Sequence, residues 1–254
     1  MANETARLID DLHLLYLAIE VAVEEGKDHE LRSAFNQAHQ LINSIEVNWI
    51  RTEALRKLAI LLGKNQLFEL ALGVFEQAIE NSHNIVLEGR RTAELEALAE
   101  ALAEFGYFEK ALETAQSPDI WLYVPIISRL ALKAAIKGQE DWARKILTQI
   151  TVDQIQFLAD ESLREEVCLN TASTFAYIGE FDRAYASLGE VRLEKFLKIL
   201  GEWIPAYEKH FPNSSQTALQ EAKRIASWYS ISDTQLLFKI RQSDYALGQL
   251  YGKV

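Results

Sequence analysis

The chain is expected to fold as an all-α solenoid of about five helical hairpins with a helical C-terminal cap. Three observations carry that expectation. Alanine pairs twelve residues apart recur along the chain, at Ala22/Ala34, Ala59/Ala71, Ala99/Ala111, Ala131/Ala143 and Ala172/Ala184. The apolar residues around them recur at steps of three and four, the spacing of one helical face. β-Branched runs of period two are missing, and four prolines with eleven glycines favour long helices joined by short turns.

Residues 5–25 form the first helix, with Leu8, Leu12, Leu15, Ile19 and Ala22 on one face. Gly26-Lys27-Asp28 breaks it, and Asp28 is suited to cap the next helix, 29–44. That helix turns Leu31, Ala34, Phe35, Ala38 and Ile42 inward. The second hairpin runs over 47–62 and 67–81. The third is Arg91–Ala115, with its turn at Gly106-Tyr107. These two align without a gap at an offset of 40. Leu55, Leu58, Ala59, Leu62, Phe68, Glu69, Ala71 and Leu72 fall on like residues from Leu95 to Leu112. A longer connection, 82–89, lies between them.

Ser117-Pro118-Asp119 ends the third hairpin. The fourth begins near Tyr123 and turns at Gly138-Gln139, and 153–157 adds a short helical turn. The fifth spans 162–191 and turns at Gly179. The first alanines of the pairs are spaced 37, 40, 32 and 41 residues apart. Helix–turn–helix units at such a period stack so that neighbours complete one another's core. Alanine recurs where two helices cross closely, because a larger side chain would hold the axes apart.

The array is assigned to residues 5–191 and a distinct helical segment to 192–254. Residues 192–210 read as a long helix with Pro205 as a kink or stop. Two more helices are expected at 217–229 and 233–251. Trp203, Tyr207, Trp228, Tyr229, Phe238, Tyr245 and Tyr251 make this segment aromatic. It reads as a cap over the last hairpin. The alternative is a homodimer or partner contact, because aromatics are enriched at interfaces.

The formal net charge of -11 argues against nucleic acid as a partner, which needs a basic surface to displace counterions. The charge is uneven: 192–254 carry nine basic and six acidic residues, which leaves the remainder at -14. A single cysteine, Cys168, cannot form an intramolecular disulfide, and it sits at an inward helical position. The N-terminus lacks a basic region of the secretory kind, and no apolar run reaches the ~18–20 residues that span a bilayer. The expectation is a cytoplasmic protein with no membrane partner.

Leu98-Ala99, Leu102, Gly106, Phe108, Ala111 and Ala115 resemble the tetratricopeptide repeat. Leu130-Ala131, Ala134, Gly138 and Ala143 are similar to it, as are Thr171-Ala172, Phe175, Gly179, Phe181 and Ala184. The first two hairpins depart from the pattern. His29 and Gln66 fall where the turn glycine belongs, and Gly26 and Gly63 come three residues early. The early aromatic and the closing proline of the family are absent. The resemblance implies a right-handed αα-superhelix whose first helices line a concave groove for a protein or peptide. Carried over position by position, the groove is Glu53, Arg56, Lys57, Glu96, Glu100, Ser128, Arg129, Asn170, Ser173 and Tyr177. These do not supply the Lys/Asn/Asn clamp of chaperone-binding members. They form a mixed-charge face suited to a polar protein surface.

No catalytic motif stands out. The histidines, His13, His29, His39, His83 and His210, are scattered, with no metal-ligand spacing among them. Carboxylate pairs such as Glu96/Glu100 and Glu165-Glu166 read as solvated surface. The function expected is therefore a non-enzymatic interaction module, an adaptor, assembly factor or regulator, with no cofactor and no metal. The alternative is a helical-repeat enzyme or carrier holding a small molecule near Trp121 and Trp142.

Overall fold

The computed structural model describes residues 2–116, 120–188, 195, 199, 201–212 and 220. Apart from residue 220, the helices expected at 217–229 and 233–251, with Trp228, Tyr229, Phe238, Tyr245 and Tyr251, lie outside this set. So do Ser117-Pro118-Asp119 and the Trp121 side chain. Every described element is a helix. In order they are α1 (Ala2–Glu24), α2 (Asp28–Asn43), α3 (Asn48–Lys64), α4 (Phe68–Ser82), α5 (Glu88–Glu104) and α6 (Phe108–Ala115). Then come α7 (Ile120–Ile136), α8 (Glu140–Leu147), α9 (Val152–Phe157), α10 (Glu161–Tyr177), α11 (Phe181–Ala186) and α12 (Ile204–His210).

The chain divides into two compact units, Met1–Gln116 and Ser117–Val254. In the first, α1 pairs with α2, α3 with α4 and α5 with α6. Successive first helices pack together, α1 on α3 and α3 on α5, and α4 also packs on α5. In the second unit α7 pairs with α8 and α10 with α11. There α7 packs on α10, and α9 and α12 both lie against α10. All ten alanines of the recurrent pairs are buried.

The five hairpins turn in one way. One residue in each takes a left-handed conformation: Gly26, Gln66, Gly106, Gly138 and Gly179, with φ between 62° and 86°. Its N–H donates to the carbonyl three residues back, and the next N–H donates to the carbonyl five back. The second set runs Lys27 to Ala22, Leu67 to Leu62, Tyr107 to Leu102, Gln139 to Ala134 and Glu180 to Phe175, at 2.8–3.0 Å. This is the Schellman closure, which satisfies carbonyls orphaned at the end of the first helix. It also starts the second helix. Asp28 accordingly is not a cap: Lys27 holds that position, Asp28 lies in the first turn of α2, and no side chain caps the helix.

The turns correct the alignment of the first hairpin. Measured from the left-handed residue, Ile19 and Leu31 are the counterparts of Ala59 and Ala71, not Ala22 and Ala34. Three residues are nearly one helical turn, so Ala22 faces much as Ile19 does and the small-residue pattern alone does not separate them. The turn belongs to Gly26, and His29 lies inside α2.

In the second hairpin Gln66 takes the left-handed position although Gly63 is near. The left-handed backbone crowds a Cβ against the following carbonyl. Gln66 is exposed and has no Cβ-dependent packing to lose. Gln66→Gly is therefore expected to stabilise the protein by about 0.5–1 kcal/mol, less than the strain relieved because glycine also loosens the unfolded chain. Urea unfolding of the two proteins measures it.

The C-terminal segment lies on the fifth hairpin. Pro205 sits in the first turn of α12, where its missing N–H costs nothing, so the expected long helix breaks at Trp203. Tyr207 packs on Phe181 with ring centres 3.8 Å apart and the rings tilted by 32°, and Phe211 joins them. At the far end Lys209 Nζ donates to Glu140 Oε1 at 3.0 Å. That hydrogen bond, ahead of the charges of Lys209, His210 and Arg144, holds the Glu140 carboxyl below its ordinary value. A lowered carboxyl stabilises the fold above its unfolded pKa and ceases to as the pH falls through its folded one. Docking of α12 is thus expected to loosen on acidification below 4.5, the ordinary value for Glu140. Hydrogen exchange at 204–210 against pH measures this, and Lys209→Met should flatten the acid response.

Candidate functional site

In the first unit the residues expected to line a groove lie on α3 and α5. Lys57 Nζ is 2.7 Å from Glu53, one turn back, and its side chain is 57% exposed. Arg56 reaches the next hairpin, where its Nε donates to Glu94 Oε2 at 3.4 Å. The Arg56 and Glu94 side chains are only 20% and 13% exposed. Burial lifts the Glu94 carboxyl above its ordinary range, against the pull of Arg56. The pair is a strut between α3 and α5, with Arg56 turned to its neighbour. Glu96 and Glu100 are half-buried on α5.

Beside Glu53 and Lys57 a cavity of about 280 Å³ opens between α1 and α3. Leu12, Ile45 and Ala54 are buried in its floor, and His13 and Lys57 are exposed at its edge. The Tyr16 hydroxyl lines it too and donates to the Ala54 carbonyl at 2.9 Å. Burial, with Glu53 adding to it, pushes the Tyr16 pKa well up, so the hydroxyl keeps its proton and its bond. The face therefore combines an apolar hollow with a cation and an anion at its edge.

In the second unit Ser128 and Asn170 are joined to each other, and Arg129, Ser173 and Tyr177 each bond to a residue outside the expected set. Ser128 is fully buried, donates to the Pro125 carbonyl at 2.7 Å and accepts from Asn170 Nδ2 at 3.2 Å. Arg129 pairs with Glu166 of α10 at 2.8 Å. Ser173 is buried and its Oγ accepts from Trp203 Nε1 at 3.0 Å. The Tyr177 carbonyl accepts from His210 Nε2 at 2.9 Å, and the Tyr177 hydroxyl donates to the Glu202 carbonyl at 3.5 Å. Burial raises the pKa of that hydroxyl. Here the protein's own C-terminal segment covers the first-helix side of the fifth hairpin. Glu165 is likewise no surface carboxylate: it is 4% exposed and pairs with Lys195 Nζ at 2.6 Å.

Sequence reasoning missed the contribution of α1, through Leu12, His13 and Tyr16, and the acceptor carboxylates Glu94 and Glu166. A signal for the latter was present. Glu94 follows Arg56 by 38 residues and Glu166 follows Arg129 by 37, close to one repeat. Trp142 lies half-buried in α8 with Lys145 Nζ 4.3 Å from its ring centre. Among the described residues no group of three or more His, Cys, Asp or Glu is placed to hold a metal ion. Among the same residues no helix is long and apolar enough to cross a membrane.

No protein-family model matches the chain, and no curated protein or solved structure is significantly similar to it.

Proposed function

We propose that the protein is a degenerate tetratricopeptide-like array, a right-handed αα-superhelix, that acts as a non-enzymatic interaction module. Its partner is a polar protein segment received on the first-helix face of the first unit. The equivalent turns of the five hairpins and the buried small residues at their crossings support the repeat reading. The observation that carries the binding reading is the cavity between α1 and α3. It is open, apolar in its floor, and edged by Lys57 and Glu53, two of the residues selected from the sequence. Such a hollow takes one apolar side chain of a partner while the flanking charges set register and on-rate.

Lys57 is the residue to reverse, because Arg56 and Arg129 are tied to Glu94 and Glu166 and their reversal would part neighbouring hairpins. Lys57→Glu faces Glu53 on an exposed helix surface and costs the fold only about 0.2–0.5 kcal/mol. A tagged full-length chain is used to capture proteins from native lysate, with Lys57→Glu in parallel. A stoichiometric protein, released by salt and lost in the variant, supports the reading. Equal retention by both proteins removes this face from consideration. A retained small molecule with no protein would favour the carrier.

A further inference from the structure

A second cavity, of about 390 Å³, opens in the second unit, away from the first-helix face. Its origin lies in the connection between the fourth and fifth hairpins. In the first unit five residues, His83–Leu87, join α4 to α5, and α4 packs directly on α5. Between α8 and α10 the chain instead inserts α9, capped by Thr151 and Gln154 in a reciprocal box. α9 packs on α7 and α10, and the space bounded by α8, α9, α10 and α11 is left as a hollow.

The floor of the hollow is one face of α10, Cys168, Thr171 and Phe175 at steps of three and four. Ile150, Ile155 and Leu147 supply apolar walls. Among the described residues that line it, Arg183 is the one with a charge. Its side chain is 67% exposed, its guanidinium lies 4.2 Å over the Phe175 ring, and one N–H donates to Glu180.

Thr171 is the second pointer. A threonine inside a helix commonly returns its hydroxyl to the carbonyl four residues back. Thr174 does so to Asn170 at 2.7 Å, and Thr114 to Lys110 at 2.8 Å. Thr171 does not: it is 7% exposed, and among the described residues its Oγ1 is the buried side-chain polar atom without a hydrogen-bond partner. An unsatisfied buried hydroxyl on the floor of a hollow is a position for a ligand's polar atom.

We propose that this cavity binds a medium-chain monocarboxylate, with the apolar chain against Leu147, Ile150 and Ile155 and the carboxylate accepting from the Thr171 hydroxyl and from Arg183. The mostly apolar walls favour an alkyl chain, and Arg183, the one charged residue among the described lining residues, favours an anionic head over a cationic one.

The test is calorimetric titration of the full chain with decanoate below its micellar concentration, and with decylamine as the cation of equal length. Decanoate is expected to bind at one site, at least tenfold more tightly than decylamine. Ala186 lines the cavity and is itself exposed, so Ala186→Trp fills the space without burdening the core, and circular dichroism confirms the fold. It should weaken decanoate at least tenfold. Arg183→Met, which keeps an apolar stem of similar length but removes the guanidinium over Phe175, should remove most of the preference for decanoate. No binding by the wild-type chain, equal binding of both amphiphiles, or decanoate binding that survives Ala186→Trp would each overturn the proposal.

Discussion

Replacing Trp203 with alanine is expected to destabilise the second unit by about 3–5 kcal/mol, the range for truncating a large buried aromatic. The side chain is 1% exposed. Its ring lies 5.8 Å from that of Tyr185, and its Nε1 donates to the buried Ser173 Oγ at 3.0 Å. Two losses add: the apolar area of the indole and the donor to Ser173. Trp203→Phe separates them, since it keeps most of the area and removes the N–H, and should cost about 1–2 kcal/mol. The consequence for the surface is distinct. With the indole gone, α12 keeps the contacts of Tyr207 and Phe211 with Phe181, the His210–Tyr177 hydrogen bond and the exposed Lys209–Glu140 pair, but loses its largest buried side chain. The α10 face that carries Ser173 and Tyr177 should then become accessible. Urea unfolding followed by circular dichroism gives the energy, and hydrogen exchange at 170–177 reports the uncovering. A loss below about 1 kcal/mol, in the range of a surface substitution, would mean that Trp203 is not held this way in solution.

That segment marks where sequence legibility ends. The helices and turns were readable because they rest on local chemistry. Small residues recur where helices cross, and Gly106, Gly138 and Gly179 stand where the backbone turns left-handed. The register of the first hairpin was not, since a shift of three residues preserves the helical face. The α9 insertion was visible only as a short turn, because whether six residues fill a gap or open one depends on what α8 and α10 leave between them. Arg56 and Arg129 read as groove residues because the resemblance to the repeat family places their helix positions in the groove. Their carboxylate partners lie one repeat away, and a helical wheel drawn for a single helix cannot include them. Glu165 read as surface for the same reason: Lys195, thirty residues on, is what lets a carboxylate be buried there.

Gly63 supplies the second large effect, and its direction opposes helix propensity. Gly63 is buried in the last turn of α3, where alanine would ordinarily be better by about 1 kcal/mol. A Cβ there would sit 2.6 Å from the Phe105 ring, closer than any two carbons settle. Phe105 closes α5 in the next hairpin, and its ring also meets Phe75 of α4 at 6.1 Å between centres. The partly buried ring thus lies between the end of α3 and a fully buried phenylalanine, which resists its displacement on that side. Gly63→Ala is expected to destabilise the first unit by about 1–3 kcal/mol, the cost of an overpacked crossing. The same steric fact explains why Gly63, three residues before the turn, cannot be traded for a residue like Ala103, its counterpart in the third hairpin. A double-mutant cycle decides the cause. Phe105→Leu alone should cost about 1 kcal/mol through lost packing, while in its background Gly63→Ala should become neutral or stabilising, a coupling of about 1–3 kcal/mol. Additive effects would mean that the penalty lies in the α3 backbone and not in the ring of the neighbouring hairpin.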